Sequence, residues 1–138
     1  MEQTIKGGTV VSATGQRRAD VALRDGSVVA VESSLNEVGE VIDASGLLVM
    51  PGMVDTHVHL MDPGPTERED FPTGTEAAAA RGVTTIIEHT HAHPLRSGED
   101  VAAKVAYLKG RSHVDFALAS HTWPDRIDNM AEVWEAGV

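Results

Sequence analysis

The sequence predicts an α/β protein: a small β domain over residues 1–52, then strands and helices in alternation over 53–138. Two observations carry this. Before residue 53, apolar and β-branched residues fall in short runs separated by turn residues, with no helical period. From residue 53 onward, strand-like runs alternate with alanine-rich or helically spaced segments, the rhythm of repeated βαβ units and a parallel sheet.

Thr9-Val10-Val11 is the first strand candidate. Asp20 to Arg24 and Ser27 to Glu32 flank Asp25-Gly26, a pair suited to a two-residue hairpin turn with both residues at positive φ. Pairing across that turn sets Leu23 opposite Val28 and Val21 opposite Ala30. Glu40-Val41-Ile42 and Leu47-Leu48-Val49 are two more short strands, around Asp43-Ala44-Ser45-Gly46. A small antiparallel sheet is expected.

Met53 to Leu60 reads as the first strand of the second part. Side chains alternate faces along a strand, so Asp55, His57 and His59 point one way and Val54, Thr56 and Val58 the other. A loop rich in Pro, Gly and acids follows over 61–70. The helix after it has two possible starts: Asp70 as cap, or Thr73 with Glu76 as a capping box. Its alanine run favours helix, and Gly82 is a natural stop. Val83 to Glu88 reads as a strand buried on both faces. Ser97 or Gly98 begins a second helix, with Val101, Val105 and Leu108 at helical spacing and Gly110 at its end. His113 to Ser120 is the third strand. Pro124-Asp125 opens a third helix with Ile127, Met130, Val133 and Trp134 on one side, closed by Gly137. Trp123 and Trp134 are expected to pack inside, and Val138 reads as the start of a fourth strand.

Composition narrows the function. There are 21 acidic residues against 11 basic ones, which excludes the basic face that a nucleic-acid partner needs. No basic amphipathic stretch or long apolar run suggests a membrane, and the first residues do not read as a signal peptide, so the cytoplasm is the expected location. Cysteine is absent, so a metal would have to be held by histidine and carboxylate. His57 and His59, about 6.5–7 Å apart at their Cα atoms on one strand face, can reach one ion, and imidazole is a strong ligand for zinc and similar metals. A His-x-His pair alone is also an ordinary pair of half-buried strand residues. Its setting argues for chemistry: Pro51-Gly52 punctuates the strand start and Asp55 precedes the pair on the same face.

The run from Val41 through Pro51-Gly52-Met53-Val54-Asp55-Thr56-His57-Val58-His59 resembles the opening of the amidohydrolase superfamily. It is most similar to the cyclic-amide hydrolases: dihydroorotases, allantoinases and hydantoinases. The likeness continues through Asp62-Pro63-Gly64-Pro65-Thr66-Glu67-Arg68-Glu69-Asp70-Phe71 and Thr73-Gly74-Thr75 to Thr84-Thr85. It implies the N-terminal part of a (β/α)8 (TIM) barrel metallo-hydrolase, preceded by part of a small β-sandwich. Residues 53–138 would be its first three βα units. A whole barrel needs about 250 residues, so a partial sequence is expected, with strand three left at an unpaired, aggregation-prone edge.

The resemblance assigns His57 and His59 as metal ligands at the C-terminal mouth of the barrel, where active sites of this fold lie. It implies a divalent metal, zinc by preference, as one or two ions. It also implies hydrolysis of a cyclic amide C–N bond, in which metal acidifies water and polarises the carbonyl. In the family, a bridging lysine, two more histidines and a general-base aspartate come from strands four to eight. No catalytic residue is therefore expected within these residues, and the chain alone is expected to be inactive. Asp55 is expected to support the ligands rather than bind metal. On a gapless match from Thr84-Thr85, His91 falls where related dihydroorotases place a substrate-contacting asparagine, which makes His91 the candidate substrate-binding residue. The other reading of His89, His91 and His93 is a solvated rim. Met61 stands where dihydroorotases carry an arginine that pairs with substrate carboxylate, and methionine cannot make that pair. The loop after it looks more like an allantoinase. Arg68 and Arg96 are expected to be plain surface residues. His121 is expected on the catalytic side and His113 at the opposite end of the same strand. A small cyclic amide is the implied partner, with a homo-oligomer when the barrel is whole. Two alternatives remain: a non-catalytic scaffold subunit, and a metal-dependent deaminase on the same fold.

Overall fold

A computed structural model describes residues 2–138. The chain divides into two compact units, one ending at Pro51 and one running from Gly52 to Val138.

The first unit holds one five-stranded sheet. Its strands are β1 (Glu2–Ser12), β2 (Gly15–Arg24), β3 (Ser27–Glu32), β4 (Glu40–Asp43) and β5 (Leu48–Val49). Their order is β3-β2-β1-β4, with β5 also paired to β1. The Asp25-Gly26 turn forms with both residues at positive φ, 49° and 78°. Leu23 pairs with Val28 as expected, but Val21 faces Val31, not Ala30, because the register shifts between Ala22 and Leu23. One extra residue on β3 is accommodated there, as in a β-bulge.

The sheet is mixed rather than antiparallel. Both β4 and β5 run parallel to β1. The link over residues 33–39 carries the chain past β2 to the far edge of β1, so β4 enters in the same direction as β1 instead of folding back on β3. Gly39 ends that link at φ 68°, and a Cβ there would lie 2.0 Å from the Glu2 carbonyl oxygen. Only glycine permits this approach. Asp20 ties the link down from β2. Its carboxylate accepts Lys6 Nζ at 2.6 Å and the Gly7 and Leu35 N–H groups at 2.9 Å each.

The second unit runs β6 (Met53–Val58), α1 (Phe71–Ala80), β7 (Val83–His89), α2 (Gly98–Leu108) and β8 (Asp115–Ala119). A 3-10 helix (Pro124–Asn129) and α3 (Met130–Glu135) follow. The three strands are parallel in the order β6-β7-β8. Of the two possible starts of α1, Asp70 is the one used: its Oδ1 accepts the Thr73 N–H at 2.8 Å. Ser97 caps α2 by accepting the Asp100 N–H. Leu60, Phe71, Ile86, Leu95, Val101, Leu108, Leu118 and Val133 form the core between sheet and helices. Phe71 meets Phe116 edge to face, with ring centroids 5.3 Å apart. Burying a side chain of that size contributes about 1.5–3 kcal/mol.

The structure corrects several expectations. The first strand of this unit stops at Val58, so His59 and Leu60 lie just beyond it, and β8 is shorter than His113 to Ser120 at both ends. β7 is not buried on both faces: Ile86 and Glu88 on one face are buried while Thr85, Ile87 and His89 on the other are half-buried, because the helices cover one face of the sheet. In α2, Val105 is exposed and Lys104 is buried. Val101, Lys104 and Leu108 are spaced i, i+3, i+7 and define the inward stripe, with Val105 at its margin. The third helix is broken. Arg126 leaves helical φ/ψ, so residues before and after it do not share one 3.6-residue phase. Only Val133 is buried there, while Ile127, Met130 and Trp134 are exposed, Trp134 by 76%.

Candidate metal centre

β6 delivers His57 near its C-terminal end, and the first residues past the strand deliver His59. The period-two alternation persists across that boundary. The two rings lie edge to face with centroids 4.9 Å apart, and their Nε2 atoms are 3.1 Å apart. At ordinary zinc–nitrogen lengths of about 2.0–2.1 Å, one ion touching both nitrogens would subtend about 100° between them, close to tetrahedral. The donor set therefore fits a divalent ion. Among the described residues, no group of three or more histidines or carboxylates is arranged to hold one. Among the described residues, His57 and His59 are the candidate donors.

The orientation of both rings comes from His89, at the end of β7. The His59 Nδ1 atom lies 2.6 Å from the His89 carbonyl oxygen. A carbonyl only accepts, so Nδ1 carries the proton and the Nε2 lone pair is left facing outward. The His89 ring stacks on His57, with centroids 4.0 Å apart and planes 22° apart. The same ring donates from Nε2 to the Thr56 carbonyl at 3.1 Å. Asp55 accepts the His57 backbone N–H at 3.1 Å, an action on the backbone of the ligand strand.

A histidine row extends from the pair. His91 is exposed and edge-on to His59 at 5.1 Å, and His121 lies 6.4 Å from His91. His121 in turn lies 5.6 Å from Trp123, whose ring carries the Arg96 guanidinium 4.5 Å from its centroid. His93 departs from the row and lines a separate cavity with Pro63, Leu95, Lys104 and Tyr107. His113 precedes β8 at the other end of the sheet, and its N–H donates to Thr75.

A profile described as the Amidohydrolase family matches residues 48–118, which include both ligand candidates and the three strands of the second unit but for Ala119, the last residue of β8. The chain belongs to the amidohydrolase family. An allantoinase of Rubrobacter xylanophilus is 44% identical over 97% of the chain, and an allantoinase of Escherichia coli is 39% identical over the same share. The L-hydantoinase (dihydropyrimidinase) of Arthrobacter aurescens superposes with a TM-score of 0.87 at 33% identity, over 99% of this chain and 31% of its own. A D-hydantoinase superposes with a TM-score of 0.82 at 31% identity, again over 99% of this chain and 31% of its own. The chain spans 30% of the length of the allantoinases it matches. Its fold is that of the front part of a TIM-barrel amidohydrolase.

Two polar clusters in this amidohydrolase unit are not foreseen from its sequence. Lys104 Nζ lies 2.6 Å from Glu88 Oε2 and 2.7 Å from Thr90 Oγ1, all three side chains being buried beside the core. The available signal was alternation: Glu88 and Thr90 continue the buried face that Ile86 begins. The second cluster centres on Asp62. Its carboxylate accepts the Phe71 N–H at 3.0 Å, the Tyr107 hydroxyl at 2.7 Å and Arg111 Nη2 at 2.6 Å. Burial pushes the Asp62 carboxyl up, but those three donors outweigh it and hold it below the ordinary carboxylate range. No local pattern marks Asp62, since its partners lie up to 49 residues away.

Proposed function

We propose that this sequence forms the front of a metal-dependent hydrolase of cyclic amides, allantoinase-like or hydantoinase-like, with His57 and His59 as ligands of the metal. The observation that carries the reading is the convergence of the two Nε2 atoms to 3.1 Å at the C-terminal end of β6, with the His59 tautomer set by a backbone carbonyl. The family membership and the kinship with allantoinases and hydantoinases support it.

When bound, the metal would acidify a water molecule and polarise the amide carbonyl. The residues of this chain bind and orient. His57 and His59 offer imidazole nitrogen donors. His89 holds the rings in place. His91, exposed beside His59, is the proposed donor to a substrate carbonyl. The same proposal takes zinc as the ion, because imidazole is among its strong ligands, and a cytoplasmic homo-oligomer as the form of the whole enzyme.

Zinc titration of the protein against His57→Ala and His59→Ala tests the ligand assignment. Both variants are expected to lose zinc binding, and equal binding by all three would remove it. In this proposal His57 and His59 are the ligands contributed by these 138 residues, and the general base lies outside them. The chain alone is expected to leave allantoin, hydantoin and dihydroorotate rings closed.

A further inference from the structure

We propose that Lys104, Glu88 and Thr90 form a positioning device for the metal-ligand pair, acting through the backbone of His89. This role rests on the reading of His57 and His59 as ligands, and it falls to residues that touch neither metal nor substrate.

Strand alternation sets the arrangement. Glu88 and Thr90 turn into the layer between sheet and helices, while His89 between them turns to the opposite face. On the buried side the three groups close on one another. Lys104 Nζ reaches Glu88 Oε2 at 2.6 Å and Thr90 Oγ1 at 2.7 Å, and Thr90 Oγ1 donates to Glu88 Oε2 at 2.8 Å. Both neighbours of His89 are thereby bound to one point on α2. On the other side, His89 makes three contacts that aim the ligands. Its carbonyl holds His59 Nδ1–H, its Nε2–H holds the Thr56 carbonyl, and its ring lies flat on His57. A shift of the 88–90 backbone would move all three together.

Stability does not account for the cluster. The Glu88 side chain is fully buried and that of Lys104 is 4% exposed. Among the described residues, Glu88 Oε1 has no hydrogen-bond partner. Desolvating two such groups costs as much as their attraction returns, so an apolar pair of similar volume is commonly neutral or stabilising. What an apolar pair cannot do is hold the chain at a defined height. Groups that orient metal-bound histidines typically change metal affinity by about 10- to 100-fold when removed.

Three variants test the proposal: Thr90→Val, Thr90→Ser, and the double substitution Glu88→Leu/Lys104→Met. Zinc affinity is read by competition with a chromophoric chelator. The His59 tautomer is read from imidazole 15N shifts without metal, and the unfolding midpoint by urea. Thr90→Val and the double variant are expected to bind zinc about tenfold more weakly or worse, with a smaller His59 Nδ1–H population. Thr90→Ser keeps the hydroxyl and is expected to restore both. The double variant is expected to unfold at a midpoint no lower than the parent. A merely structural cluster would shift the midpoint and leave the tautomer unmoved. Parental zinc affinity and tautomer in Thr90→Val, with binding lost in His57→Ala, would overturn the positioning role and spare the ligand assignment. Should His57→Ala bind zinc like the parent, the ligand assignment falls and the positioning role falls with it. If the double variant does not fold, Thr90→Val decides the matter by itself.

Discussion

Replacing Asp62 by alanine tests how the second unit holds its first loop. The carboxylate is buried, and its two oxygens receive three donors from three places: the first residue of α1, the last turn of α2 and the turn after it. Truncation leaves the Phe71 N–H buried without an acceptor, a loss of about 1–3 kcal/mol. Breaking a fully buried ion pair costs about 3–5 kcal/mol. Arg111 is 36% exposed, so its guanidinium can re-solvate and the electrostatic part must be discounted. The expected total is about 3 kcal/mol. Tyr107→Phe removes one bond from a side chain that water reaches, and should cost about 1 kcal/mol. Urea unfolding at unchanged slope separates these values. The carboxyl is held below its ordinary range in the folded state. Its contribution is therefore complete above about pH 4 and fades as pH falls through the folded value. The gap between parent and Asp62→Ala should narrow in acid. An Asp62→Ala variant within about 1 kcal/mol of the parent at neutral pH, or no worse than Tyr107→Phe, would refute the three-way clasp.

Other outcomes follow from the same structure. Asp20, held at about 2 chiefly by the Lys6 ammonium and then by the Gly7 and Leu35 N–H groups, contributes stability that is present above about pH 4 and lost as pH falls toward 2. Asp20→Asn should be less stable at neutral pH and lose less between about pH 4 and 2, as read by melting at each pH. Gly39→Ala forces a Cβ against the Glu2 carbonyl at φ 68°, and should destabilise the first unit by more than about 1 kcal/mol, whereas an unstrained glycine-to-alanine replacement would stabilise it. An unchanged unfolding midpoint would show that the link over 33–39 is not held as described. Trp134→Ala should shift stability by less than about 0.5 kcal/mol, since the ring is exposed. Iodide should quench Trp134 more readily than Trp123, which is half-buried under Arg96.

Much of the architecture is legible in the chain because it is written in local periods. Alternation over Met53–His59 places the two ligand candidates on one side. Asp25-Gly26 specifies a tight turn, and glycines at 82 and 110 mark helix ends. These are statements about neighbours within a few residues, where backbone geometry alone decides which way a side chain points. The errors fall where a local rule meets a distant constraint. Val105 fits a helical stripe as well as Lys104 does, and only the acid across the layer on β7 selects which one turns inward. The short strands around residues 40–49 announce themselves by composition, yet nothing local says that they lie parallel to β1. His89 reads as one of three loop histidines, but its carbonyl and ring contact both candidate ligands across some 30 sequence positions.

The amino-acid sequence by itself determined the class of fold, the order of its strands and helices, the face on which His57 and His59 stand and the kinship of the chain. Tertiary structure alone decided which charged groups are buried together, which way the edge strands run and which histidine steadies the pair. The physical reason is range. Backbone dihedrals and caps act over a few residues, whereas hydrogen bonds and packing select among distant partners only once the chain has closed on itself.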